Sequence, residues 1–326
     1  MTRLFRLAAA VASLVLIGSA AGAQDWPTRP ITMVIPFAAG GPVDTIGRIL
    51  GQYVGDNLGQ QVVIENVGGA GGMIGSSRVA KSEPDGYTIL LGGSAVLALN
   101  QAIYRKPMVD GAKDFTSVAM FADSARLLLV RKDFPAKNLT EFVAYSKANV
   151  SKMQYGSAGV GSGSHVCAVL LDTVIGTKVP HVPYRGSALA MQDLVAGRLD
   201  YVAEQISTAV GHVQGGSIRA ISLMGLERSS VVPDIATADE EGFKGLDCGS
   251  WAALVYPKGV AAPIVKKMAA AIDKALDNPA LKASYDKIGV AVPAKERRSP
   301  EYLAKYTPEE IERWGAAIRG AGISSD

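Results

Sequence analysis

The sequence predicts an α/β protein in two domains, and three observations carry that prediction. Short apolar runs of strand length alternate with helical patterns, and several junctions are glycine turns, as in the βα units of a mostly parallel sheet. Removing a 23-residue leader from 326 residues leaves 303, more than one hydrophobic core usually serves. A second glycine-rich loop, Tyr155 to His165, stands mid-chain at the head of another helix.

The first unit is Ile31 to Arg48, ITMVIPFAAGGPVDTIGR. Ile31, Met33, Val34 and Ile35 form a strand that Pro36 ends by removing a backbone donor. Gly40 and Gly41 let backbone N–H groups approach a ligand, and Pro42 suits the first position of a helix. Val43, Ile46, Ile49, Leu50 and Tyr53 would form its buried side. A strand, a glycine turn and a helix start make an anion site, because unpaired N–H groups converge where the dipole places about half a positive charge. The same junction also serves as a plain connection, so by itself it does not establish a ligand.

Met1 to Ala23 carries Arg3 and Arg6, an apolar core from Leu7 to Ile17 and the ending Ala21-Gly22-Ala23, which reads as a secretory signal cleaved after Ala23. No later run reaches the roughly 18 apolar residues of a membrane-spanning helix. No cysteine follows the apolar core, so a lipid anchor is not expected, and the mature chain is placed in the periplasm. Loss of the two arginines takes the formal charge from +3 to +1, which argues against nucleic acid or an acidic membrane surface as partner. Cys167 and Cys248 are far apart. An oxidising compartment permits a bridge, but a lone remote pair shows no framework pattern and free buried thiols are common. No ligand spacing for zinc or another metal is present, and no cofactor motif.

In order, Gln61 to Glu65 is a second strand, followed by Gly68, Gly69, Gly71 and Gly72 and a helix from about Ile74 to Lys81. Pro84-Asp85-Gly86 is a turn, with Pro setting φ and Gly accepting a positive one, and it feeds the strand Tyr87 to Leu91. Gly92-Gly93-Ser94 then opens a helix through Leu97 and Ile103, a second strand-glycine-helix junction pointing the same way as the first. Between Ile103 and Arg126 no element is assigned. Arg126 to Val130 is a buried strand, and Leu139 to Lys147 a helix with Asn138 and Glu141 spaced as a capping box. Tyr155 to His165, YGSAGVGSGSH, precedes the helix Val166 to Ile175; its hydroxyls and bare amides are groups that hold a carboxylate without a fixed cation. A flexible surface turn is the alternative. Val179 to Pro183 is a strand, and Ser187 caps a helix that Gly197 ends. Leu199 to Ala203 is a strand ending at Glu204-Gln205, and Ser217 to Leu223 is another. Trp251 to Tyr256 is apolar enough to return into the first sheet. Helices follow at Pro263 to Leu276, from Asn278-Pro279, and at Thr307 to Ile318 with Pro308 in its first position.

The segments WPTRPITMVIPFAAGGPVDTIGR, VIENVGGAGGMIG, PDGYTILLG, YGSAGVGSGSH and VPYRGSALAMQDLVAGRLD occur in this order. In them the chain resembles the Bug receptors, the extracytoplasmic solute-binding proteins of tripartite tricarboxylate transporters, from about Trp26 to the C-terminal helices. The resemblance implies a periplasmic-binding-protein fold of type II, two αβ domains with a ligand cleft between them. Residues 24–125 with 249–326 would form one domain and 126–248 the other. It further implies a ligand carboxylate held between the loops Phe37 to Asp44 and Tyr155 to His165, largely by backbone N–H groups, hydroxyls and ordered water.

Phe37, Ala39, Gly40 and Gly41 are then the first-loop contacts, with Asp44 either a contact or an acid favoured at a helix start. Ser157, Gly159, Gly161 and Ser162 are the second-loop contacts. His165 would orient loop or ligand, or make a structural hydrogen bond. Ser94 fits a hydroxyl donor, and Glu204-Gln205 falls at a strand end near the cleft. Arg126 departs from the family, where this position is often uncharged; it would clamp a distal carboxylate with paired donors, or lie solvated. Arg185 reads as structural.

The expected function is a receptor for a small mono- or dicarboxylic acid, aromatic acids included, whose closure presents a surface to a permease of one large and one small membrane subunit. A chemosensory subunit serving a sensor ectodomain would use the same cleft. A serine hydrolase built on Ser162 or Ser164 with His165 is weaker, because no G-x-S-x-G elbow is present: Tyr155 stands where its leading glycine belongs.

Overall fold

The computed structural model describes residues 26–320. The expected signal peptide and its cleavage point lie outside them. Two mixed sheets organise these residues. The first contains β1 (Ile31–Ile35), β2 (Val62–Asn66), β3 (Thr88–Gly93), β4 (Phe115–Ser124), β10 (Ser250–Pro257) and β11 (Val290–Ala291), in the order β11-β4-β10-β3-β1-β2. The second contains β5 (Arg126–Arg131), β6 (Tyr155–Ser157), β7 (His181–Pro183), β8 (Tyr201–Gln205) and β9 (Ile218–Met224), in the order β7-β6-β8-β5-β9.

A mostly parallel sheet was the expectation, and it needs correcting. β1 pairs in parallel with β2 and β3, and β6 with β7 and β8, but β10 runs antiparallel to β3 and β4, and β5 antiparallel to β8 and β9. Parallel neighbours need a crossover on one face of the same sheet. β4 instead passes through Ala125 straight into β5 of the other sheet, and β10 returns from β9 after residues 225–249, so both enter their sheets free of that rule.

Helix α1 (Pro42–Leu58) starts at Pro42, as its sequence predicts, and buries Ile46, Leu50 and Val54 at four-residue spacing. They share a core with Met268 and Ile272 of α8 (Ala262–Leu276), and Asn278 caps the next helix, α9 (Pro279–Asp286). Asn138 accepts from the Glu141 N–H at 2.9 Å at the head of α4 (Leu139–Asn149); the Glu141 carboxylate reaches back to the Lys137 N–H rather than to that of Asn138.

Several local expectations differ from the structure. The ten-residue β4 was unassigned, although Val118 to Ala122 are almost wholly buried. Helix α2 (Met73–Ala80) begins one residue early, and after β3 the chain makes a π-helical turn over Ser94–Leu99 before the short α3 (Asn100–Ile103). Gly186, not Ser187, is the N-cap of α6 (Ser187–Val195), and a helix α7 (Ile206–Gln214) follows Gln205. The final helix, α10 (Pro300–Gly320), starts earlier than predicted and carries Pro308 inside it. Buried Leu303 and Trp314 on either side of Pro308 share one core, and the Thr307 hydroxyl donates to the Leu303 carbonyl at 2.9 Å, so packing holds the helix through the lost backbone donor. Cys167 and Cys248 are bridged, with Cα atoms 5.7 Å apart across 81 residues of sequence. Helix α5 (Gly163–Ile175) packs on the segment returning to β10, a proximity that spacing does not reveal.

Candidate functional site

A half-open cavity of about 60 Å³ lies between the two sheets, room for a few water molecules at about 10–15 Å³ each. The elements around it present helix starts: Gly41 and Pro42 of α1, Ser94 of the π-helical turn, Ser162 and Gly163 of α5, Ser187 of α6, and Gln205 before α7. The first N–H groups of a helix have no partner within it, so these segments direct donors and positive dipole ends at one space.

The charged side chains lining it are Arg126 and Glu204. Arg126 begins β5 and is 5% exposed; among the described residues its guanidinium closes no hydrogen bond, and its ion pair is with Glu204 Oε1 at 3.9 Å. It lies over Gly163, where any side chain would collide with the guanidinium. Glu204, at the end of β8, is fully buried: Oε1 accepts the Gln205 N–H at 2.7 Å, and Oε2 has no hydrogen-bond partner. Burial pushes the Glu204 carboxyl above its usual range, while Arg126, the nearby Ser187 hydroxyl and the Gln205 N–H pull it partly back. The Ser187 hydroxyl acts at a distance, since it closes no hydrogen bond to Oε2. The alternative of a solvated arginine at the strand start does not hold: β5 lies between β8 and β9, and Arg126 is buried where it lines the cavity.

Of the residues picked from sequence, Phe37, Gly41, Ser94, Arg126, Ser162, Glu204 and Gln205 line the cavity. Ala39 and Gly40 instead sit exposed at the loop tip, outside it. Asp44 is turned inward as a clasp, accepting from the Gly40 N–H at 2.9 Å, from Arg48 at 2.9 Å and from Asn66 at 3.0 Å. Burial alone would raise the Asp44 carboxyl, but these donors hold it below its usual range.

The second loop divides between two tasks. Ala158, Ser162, Gly163 and Ser164 line the cavity, whereas Gly159 faces the backbone of Tyr184 and Gly161 faces the side chains of Asn100 and Tyr104. Gly161 has φ of +82° and packs so near Asn100 and Tyr104 that a side chain has no room; the Tyr104 hydroxyl donates to the Val160 carbonyl at 3.1 Å. Ser157 is 2.6 Å from His181 Nε2 and accepts the Gly159 N–H. His165 accepts the Gly161 N–H on Nδ1 at 3.3 Å and stacks on His181 with ring centroids 4.4 Å apart. Burial pushes both imidazoles down to about 4, with repulsion from His165 adding to the effect at His181. Ser157 and His165 therefore shape the loop from behind. Neither Ser162 nor Ser164 shares a hydrogen bond with the His165 ring: the two hydroxyls are 3.1 Å from each other, and Ser164 also accepts the Ala158 N–H.

Lining residues that sequence reasoning missed include Ser124, Ser187, Ser250 and Trp251. Ser187 had a local signal but was read as a cap; Ser124 and Ser250 are paired across β4 and β10, which no local pattern shows. A larger open hollow of about 650 Å³ has its arginines already engaged, Arg297 with Asp123 at 2.6 Å and Arg228 with Glu240 at 2.9 Å, so it offers less to an anion.

The family model described as tripartite tricarboxylate transporter family receptor matches residues 46–323. BugT of Bordetella pertussis is 30% identical over 323 residues, covering 99% of this chain and 98% of its own. Two solved structures from Rhodopseudomonas palustris superpose on nearly all of it. MatC with bound malate has a TM-score of 0.87 at 38% identity, covering 90% of this chain and 100% of its own, and Rpa4515 with adipate has 0.88 at 30%, covering 92% and 100%. Such similarity over almost the full length shows that the chain belongs to the tripartite tricarboxylate transporter receptor family, the periplasmic solute-binding proteins of the Bug type.

Proposed function

We propose that this receptor captures a small dicarboxylic acid in the cavity between its sheets. The carrying observation is Arg126: a buried guanidinium without a hydrogen bond, facing a space ringed by helix starts. One ligand carboxylate would take the free N–H groups around Gly41, Ser94 and Ser162, and the other the paired donors of Arg126. The malate and adipate held by the two R. palustris proteins are both dicarboxylates, which supports this class over monocarboxylic or aromatic acids. In this reading the described residues 26–125 with 249–320 make up one lobe and 126–248 the other, and the ligand stabilises closure because only the closed form satisfies both loops. Micromolar affinity corresponds to about 8 kcal/mol, within reach of two charge-assisted carboxylate sites and buried carbons. The closed receptor then delivers its acid to a permease of one large and one small membrane subunit.

A thermal-shift screen of small carboxylic acids, repeated on Arg126→Ala, tests the reading. Dicarboxylates are expected to raise the melting temperature most, with their advantage over monocarboxylates lost in the variant. Equal shifts from the corresponding esters or amides would refute an anion site.

A further inference from the structure

Arg126 has a resident carboxylate beside it before any ligand arrives. Glu204 Oε1 is 3.9 Å away, and these two are the charged side chains among the residues lining the cavity. Resting on the reading of Arg126 as the seat of a second ligand carboxylate, we propose that Glu204 takes up a proton when a doubly charged acid binds. A carboxylate hydrogen-bonded to the guanidinium would stand within a few ångströms of Glu204 in a closed space without bulk water. Two anions so placed do not both remain ionised, and the one with the poorer set of donors takes the proton. That one is Glu204: the ligand group gains paired guanidinium donors, while Glu204 keeps one N–H bond on Oε1 and has a bare, buried Oε2. In the free receptor burial holds the Glu204 carboxyl above its usual range, and the Arg126 charge, the Ser187 hydroxyl and the Gln205 N–H pull it partly back towards the ionised form.

No other titratable side chain on the elements packed against β8 takes this role. On β5, Arg131 is paired with Asp133 and Asp200. On α5, His165 is bonded to Gly161 and Asp172 to Thr177 and Val179. On α6, Asp193 holds Tyr184 and Arg198; on α7, His212 contacts Ser217; and on β6, Tyr155 stacks on His181. The event is a simple protonation, with solvent supplying the proton before closure and Glu204 holding it inside.

The experiment is isothermal titration of the full receptor with succinate and with butyrate between about pH 7.5 and 9, above the ordinary carboxyl range of about 4 and above the higher second ionisation of a dicarboxylic acid, so that both ligands are fully ionised. Succinate affinity is expected to fall with rising pH by up to about tenfold per unit, as linkage to one proton requires, while butyrate affinity stays within about twofold. Repeating the succinate titration in two buffers of different ionisation enthalpy should count close to one proton taken up. In Glu204→Gln the pH slope of the remaining succinate affinity and the proton uptake should both vanish; should this variant no longer bind succinate, the proton count on the unaltered receptor decides. Parallel pH profiles for the two acids, or a slope that survives in Glu204→Gln, overturn the proton coupling and leave the carboxylate receptor standing. Failure of every acid in the thermal-shift screen to bind overturns the receptor reading and the coupling with it.

Discussion

Arg126 occupies the space that a side chain at position 163 would need. The first residue of α5 is therefore glycine because a strand from the neighbouring part of the sheet sends its guanidinium across it. Gly163→Ala should move the flexible end of Arg126 and leave the fold intact. Charge-assisted hydrogen bonds contribute about 1.5–3 kcal/mol, so dicarboxylate affinity is expected to drop about 10- to 100-fold with little change in melting temperature. Calorimetric titration against dicarboxylates checks this, and unchanged affinity would show that Arg126 does not touch the ligand.

The Tyr104 hydroxyl donates to the Val160 carbonyl at 3.1 Å, joining the segment after α3 to the second glycine loop. This bond links parts of the chain that belong to different sheets, so it contributes to the closed arrangement more than to either sheet alone. Tyr104→Phe is expected to weaken ligand binding about 2- to 10-fold, in line with about 0.5–1.5 kcal/mol for one neutral hydrogen bond. The unliganded protein should melt within about 1–2 °C of wild type. A larger fall in its own melting temperature would assign the bond to lobe stability instead.

Acid should loosen the second loop. His165 and His181 are pushed down to about 4, from an ordinary value of 6.5, mainly by burial. Below pH 6.5 the unfolded chain binds protons on both imidazoles that the folded protein refuses until about pH 4. Stability from this source is complete above pH 6.5, declines between 6.5 and about 4, and is level beneath that. The loss is on the order of 3 kcal/mol for His165, with a smaller share from partly exposed His181. Urea unfolding across this range should show the decline, and His165→Gln should make it shallower by more than half. An identical slope in the variant would place the acid sensitivity elsewhere.

The bridge from Cys167 to Cys248 closes a long loop, 81 residues apart in sequence, and ties α5 to the segment that returns to β10. Cross-links of this kind commonly contribute about 2–4 kcal/mol, mainly by restricting the unfolded chain. Reduction, or Cys167→Ser with Cys248→Ser, is expected to lower stability to unfolding by that amount. Equal unfolding midpoints with and without a reductant would deny the bridge a stabilising role.

Much of this receptor could be read along the chain. The strand, glycine turn and proline-started helix of Ile31 to Leu58, the Asn138 cap, and the arrival of Gly41, Ser94 and Ser162 at one cavity follow local rules, because a helix start following a glycine turn presents its donors wherever it is placed, whereas Phe37 and Gln205 are reached only through the family resemblance. Local rules also misled. Ala39, Gly40, Gly159 and Gly161 belong to the same glycine loops as Gly41 and Ser162, yet they are turned to solvent, to neighbouring backbone or to the side chains of Asn100 and Tyr104, since a glycine pattern records room for the chain and not what the room is for.

The amino-acid order by itself determined the α/β class, most of the strands and helices though not β4 or α7, and a receptor family recognisable from five ordered segments. Tertiary structure alone decided that Arg126 is buried opposite Glu204, that Ser124 and Ser250 meet, that Pro308 sits inside a continuous helix, and that the two cysteines bond. Backbone conformation depends on neighbours a few positions away, whereas burial, charge pairing and cross-links depend on residues as far apart as Asp123 and Arg297, 174 positions, that only the tertiary packing brings together.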